Sequence, residues 1–92
     1  MIASFADRDT ETLYRDLFVR RFQGVAPAAR RKLMMLDAAA KLEDLLVPPG
    51  NRLGALRGDL AGHHSIRVND QWRLVFRWAD GAAHAVRLMD YH

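Results

Sequence analysis

The sequence predicts a single α+β domain, on two observations. The first half carries two segments with apolar residues at helical spacing, and the last third carries three segments of alternating apolar residues. A short strand at Met1–Phe5 precedes both. The expected order is an N-terminal strand, two helices, then a three-stranded antiparallel meander. At 92 residues the chain is read as one domain spanning 1–92, with a real core but a small stability margin.

Each element has its own signal. Thr10-Glu11 offers N-capping chemistry, and Leu13, Tyr14, Leu17, Phe18 and Phe22 recur at helical spacing up to Gly24. Pro27 opens a second helix through about Lys41, with Ala29, Leu33, Leu36 and Ala40 as its apolar face and Met34-Met35 as core filler. Val47-Pro48-Pro49-Gly50-Asn51 then breaks the pattern, and residues 52–58 follow as a loop or irregular edge. Strands are expected over Ser65–Val68, Trp72–Trp78 and Ala83–Met89, with turns at Asn69-Asp70 and Asp80-Gly81.

Composition narrows the class. Half the residues are apolar, 27% are charged and there is no cysteine, which fits a soluble protein without disulfides or thiolate metal sites. No apolar run approaches a membrane span, the N-terminus lacks the order of a signal peptide, and a cytoplasmic location is the default. The net charge is only +3, but it is segregated. Asp7, Asp9, Glu11 and Asp16 make the start acidic; Arg20, Arg21, Arg30, Arg31 and Lys32 make a basic middle. From residue 52 onward every Lys or Arg is arginine, whose planar fork matches phosphate oxygens. A polyanionic partner and an arginine-rich genome both account for this.

The strand register has functional weight. A three-residue loop, Asn69 to Gln71, pairs Arg67 with Arg73 and collects Ile66, Val68, Trp72, Leu74, Phe76 and Trp78 on one face. A three-residue loop at Ala79–Gly81 puts Val86 and Leu88 there too, with His84 on the same core-facing parity as a structural residue. Arg67, Arg73, Arg77 and Arg87 then share the opposite face. His63 and His64 are read as surface residues at a strand start.

These residues carry a resemblance. Arg52-Leu53, Leu56-Arg57-Gly58-Asp59, Ser65-Ile66-Arg67-Val68-Asn69-Asp70-Gln71-Trp72-Arg73, Phe76-Arg77-Trp78, Asp80-Gly81 and the closing Asp90-Tyr91-His92 resemble the HigB toxins of the RelE/ParE superfamily. The resemblance covers essentially the whole chain. It implies a RelE/ParE-like fold with the helices packed on one sheet face. It also implies the toxin of a type II toxin-antitoxin system: a ribosome-dependent, metal-free endoribonuclease (an mRNA interferase) that inhibits translation and growth. The implied partners are the ribosome, messenger RNA and a helix-turn-helix antitoxin similar to HigA, with no cofactor and no membrane.

Cleavage of this kind requires a base for the ribose 2′-OH, an acid for the departing 5′-oxygen and cations for the phosphoryl oxygens. The resemblance makes His92 the acid-base candidate, Tyr91 a base-stacking or phosphate-positioning group, and Asp90 a residue that orients His92 or an arginine. Arg73 matches the strand arginine that stabilises phosphate. Arg57, where many relatives have lysine, can hold charge but stays protonated. Arg67, Arg77, Arg52, Arg20, Arg21, Arg30, Arg31 and Lys32 are candidates for gripping RNA or the ribosome. The four histidines lack metal-ligand spacing, so no metal is expected. One departure stands out. Where relatives carry histidine or glutamate, this chain has Gly54. A non-enzymatic inhibitor of DNA gyrase and a catalytically impaired partner-binding module therefore stay open as alternatives.

Overall fold

The computed structural model describes residues 1–91. It contains α1 (Arg8–Tyr14), α2 (Ala26–Ala38) and a four-stranded antiparallel sheet in the order β1-β2-β3-β4. The strands are β1 (Gly54–Ala55), β2 (His64–Arg67), β3 (Trp72–Ala79) and β4 (Ala82–Asp90). The meander thus carries one further edge strand, the two-residue β1, within the stretch expected to be irregular. Both helices lie on one face of the sheet. There Leu13, Leu33 and Leu36 are buried with Ile66, Leu74, Phe76, Val86 and Leu88.

The helices are shorter than the apolar spacing suggests. Asp7, not Thr10, caps α1, accepting from the Thr10 amide at 2.7 Å. Thr10 is instead fully buried, and its hydroxyl accepts a 3.0 Å hydrogen bond from the Leu88 amide, tying α1 to β4. The helix stops well before Gly24 because Asp16 enters the left-handed region (φ 65°); Arg20–Phe22 forms a separate 3-10 turn. The second helix ends at Ala38 rather than near Lys41. Asp37, in its last turn, accepts from the Ile2 amide and from the Tyr14 hydroxyl. The bond to Asp37 raises the Tyr14 phenol above its ordinary pKa.

The N-terminal segment forms two isolated parallel bridges to β4, Ile2 with Ala83 and Phe5 with Val86, in place of a continuous strand. The interruption coincides with a bulge. The β3–β4 pairing shifts between Val75 and Arg77, so that Ala85 and Val86 together face Phe76. Ala85 adopts φ 52° and donates its amide to Ser4 Oγ at 2.9 Å. At the hairpin end the loop is two residues, not three: Ala79 pairs with Ala82, and Asp80 and Gly81 both take positive φ, the geometry that suits a twisted hairpin. The bulge offsets this register change, so Val86 and Leu88 still reach the core. His84, ahead of the bulge, pairs with Arg77 and lies on the opposite face, not the core-facing one.

Two substitutions test these tethers. Thr10→Val leaves the Leu88 amide buried without a partner and is expected to lower stability by about 1–3 kcal/mol, measured as a lower urea midpoint at unchanged slope. Ala85→Gly relieves the left-handed alanine and is expected to raise stability by about 0.5–1 kcal/mol.

Candidate functional site

The face turned away from the helices carries the charge. The β2–β3 register pairs Arg67 with Arg73 and Ile66 with Leu74, as the apolar pattern requires. Val75 pairs with both Ser65 and Arg87, and Arg77 with His84. Arg67, Arg73, Arg77 and Arg87 therefore share one sheet face. Like charges directly opposite one another destabilise a sheet, so the partners of each arginine matter. Arg67 takes the exposed carboxylate of Asp70, and Arg87 lies 4.0 Å from Asp7.

Arg73 is held differently. Its Nη1 donates to the buried Ser65 hydroxyl at 2.8 Å, and its guanidinium carbon sits 5.2 Å from the centre of the Tyr91 ring. A cation over an exposed ring contributes about 0.5–1 kcal/mol. These contacts fix the guanidinium without neutralising it: among the described residues Arg73 makes no ion pair with a carboxylate. Arg77 is exposed, and it too makes no ion pair among the described residues.

The end of β4 is anchored up to Tyr91. Trp72 pairs with Asp90, and the Tyr91 amide donates to the Gln71 carbonyl at 2.6 Å. The Gln71 amide group donates to Asp90 Oδ2 at 3.0 Å. The strand thus delivers Tyr91 beside Arg73, whereas Asp90, paired with Trp72, falls on the other face of the sheet, where Gln71 holds it. His92, the acid-base candidate, lies outside the described residues.

Gly54 stands on the same face. It pairs with Ser65, the residue that holds Arg73. A Cβ added there would meet only the Arg52 carbonyl, at 3.8 Å, so nothing in the fold demands glycine. The loop before it is fixed by the buried Asn51, whose amide donates to the Leu45 carbonyl and to Met35 Sδ and whose oxygen accepts from Lys32. Arg52 and Arg57 are exposed on either side of β1, and no ion pair holds them among the described residues.

The remaining cations do not join this face. Arg20, Arg21, Arg30, Arg31 and Lys32 belong to the helical layer. Arg21 pairs with Asp9 at 2.8 Å, Arg30 with Asp16 at 3.2 Å, and Lys32 is engaged by Asn51. Arg20 and Arg31 are exposed. His64 stacks on Phe76, with ring centres 6.4 Å apart, on the core side. His63 directly precedes β2, and alternation assigns it to the arginine face; the Nδ1 atoms of both histidines are buried without a hydrogen-bond partner among the described residues. Sequence reading placed both histidines on the surface; counting back by two from Ser65 identifies the face of His63. Among the described residues no group of three or more His, Asp or Glu is arranged to hold a metal ion. No helix among them is long and apolar enough to cross a membrane.

Residues 3–92 match the family model of HigB-like toxins, described as the RelE-like toxin of the type II toxin-antitoxin system HigB. The chain belongs to the HigB-like toxin family. It is 46% identical over 85 residues to Toxin HigB-1 of Vibrio cholerae, covering 90% of each chain. It is 34% identical over 65 residues to Endoribonuclease HigB of Proteus vulgaris, covering 66% of this chain and 65% of that one. Solved structures share the fold. The YoeB-YefM complex from Staphylococcus aureus matches with a TM-score of 0.61 at 19% identity, covering 100% of this chain and 98% of that one. A mutant YafQ from E. coli matches with a TM-score of 0.63 at 13% identity, covering 99% and 94%. This HigB-like toxin is therefore an α+β toxin of a toxin-antitoxin system, with an antitoxin as partner.

The open space at Gly54 has a direct test. Gly54→Glu and Gly54→His are expected to change stability by no more than about 0.5 kcal/mol, a shift of roughly 2–4 °C in thermal midpoint for a domain of this size. A collapse of the midpoint would show that the position is sterically closed.

Proposed function

We infer that this HigB-like toxin is an endoribonuclease that cuts messenger RNA on the ribosome and so inhibits translation. The observation that carries the reading is Arg73: a guanidinium positioned by Ser65 and Tyr91, without a carboxylate partner among the described residues, beside the end of β4, after which the sequence continues Tyr91-His92. The 34% identity to an endoribonuclease supports it.

The chemistry assigns each group a role. The ribose 2′-OH loses its proton and attacks the adjacent phosphorus; the bond to the 5′-oxygen breaks and that oxygen takes up a proton. The products are a 2′,3′-cyclic phosphate and a free 5′-OH. Arg73 stabilises the extra charge on the phosphoryl oxygens, aimed before the reaction begins. His92 exchanges the protons, and Tyr91 stacks on a base while steadying Arg73. Asp90 orients this end of β4, and Arg57 adds charge at the β1 edge. Arg67, Arg77 and Arg52 hold the neighbouring phosphates, a salt-dependent and sequence-tolerant attachment. The protein works in the cytoplasm, where translating ribosomes are, and a helix-turn-helix antitoxin neutralises it.

Arg73→Ala is expected to reduce single-turnover cleavage on programmed ribosomes by about 10²–10³-fold, and His92→Gln by about 10²–10⁴-fold, with circular dichroism unchanged. Full activity in both folded variants would end this assignment. Gly54 leaves the face one proton-transfer group short, so Gly54→His is expected to accelerate cleavage. Cleaved plasmid complexes with intact messages would instead mark a gyrase inhibitor.

A further inference from the structure

The helical side of the molecule exposes apolar residues that the core does not use. Phe18 is 70% exposed, Met34 69%, Leu17 57% and Tyr14 37%. They are not scattered. Residues 15–19 leave α1 and run beside α2, and two adjoining hollows open between them, of about 310 and 380 Å³. Tyr14, Leu33 and Met34 line the first; Phe18, Val19, Ala26 and Pro27 line the second; Asp16 and Arg30 border both. Clustered apolar exposure of this kind, rimmed by polar groups, marks an interaction site.

Charge says what kind of partner fits. Within the groove Arg30 is already matched by Asp16, and at its edge Arg15 by Glu11 and Arg21 by Asp9. The charges left over are Arg20, next to Val19, and Arg31, on the helix face between Pro27 and Met34; neither has a carboxylate partner among the described residues. A second copy of this chain would bring these arginines against each other, which disfavours a dimer here. An amphipathic segment with apolar anchors and flanking carboxylates satisfies both the hollows and the arginines.

We propose that the groove between residues 15–19 and α2 is the docking site of the antitoxin, which inserts apolar side chains beside Phe18 and Met34 and sets acidic residues against Arg20 and Arg31. The proposal rests on family membership, not on RNA cleavage, and it places the antitoxin on the layer opposite Arg73.

The test measures binding of the purified antitoxin to the full-length toxin by calorimetry, alongside the toxin's mass in solution and its sedimentation with ribosomes. Phe18→Asp and Met34→Glu are expected to weaken antitoxin binding by about 30-fold or more while thermal midpoints hold, because both side chains are exposed. Leu46→Asp, an exposed apolar residue outside the groove, is the control and is expected to leave binding unchanged. Arg31→Glu is expected to weaken binding and flatten its salt dependence. Antitoxin affinity within about threefold of wild type in both groove variants, well under the 1.4 kcal/mol that a tenfold change represents, overturns the proposal. So does a result in which they lose only self-association, or only ribosome sedimentation, since the groove would then serve a second copy or the ribosome. Antitoxin binding can be read even if the wild-type protein cuts no RNA, so the two readings fail separately.

Discussion

Burial of one sheet face against α2 is the constraint on which the rest of the structure depends. Ile66, Leu74, Phe76, Val86 and Leu88 can meet Leu33 and Leu36 only if β2, β3 and β4 keep one register. A slip by one residue would move every apolar side chain to solvent and every arginine into the core. The same apolar contacts therefore decide where the charges go. Arg67, Arg73, Arg77 and Arg87 share a surface because their neighbours in sequence are buried. The arginine-bearing face is, in this sense, the reverse side of the hydrophobic core.

How the charges are disposed follows from a division between layers. On the helical side the early carboxylates of Asp7, Asp9, Glu11 and Asp16 take up Arg87, Arg21, Arg15 and Arg30. On the sheet side Arg73 is steadied by a hydroxyl and a ring, groups that position a cation without cancelling it. A carboxylate at either place would have oriented the guanidinium equally well but neutralised its charge. The modest net charge of +3 thus conceals a face where positive charge is concentrated.

Much of this was legible in the chain. The alternation from Ile66 to Trp78 was strong enough to choose the Arg67–Arg73 pairing and with it the arginine face. The site residues that alternation could not reach are those set by local backbone geometry. Ala85 takes a left-handed conformation that alanine does not advertise, so the bulge is silent in sequence, and with it the face of His84. The cap at Asp7 was hidden because Thr10 looks like a cap and is instead a buried acceptor for β4. The cations of the helical layer were legible as charges but not as partners, since ion pairs such as Arg30 with Asp16 depend on how the loop after α1 turns back. For Gly54 the sequence showed a missing side chain; only the fold shows that space for one exists.

The attachment of the first residues to β4 has a consequence for the life of the molecule. Ser4 receives the Ala85 amide across 81 residues of chain, and Ile2 and Phe5 bridge to the same strand. At roughly 5–20 residues per second, the opening segment waits on the order of 4–16 s for its partner to be synthesised. Until β4 emerges, the inner side of β3 has no finished neighbour and Tyr91 does not yet exist to steady Arg73. The ring contact that steadies Arg73 therefore forms only once the strand that anchors the first residues has itself been made.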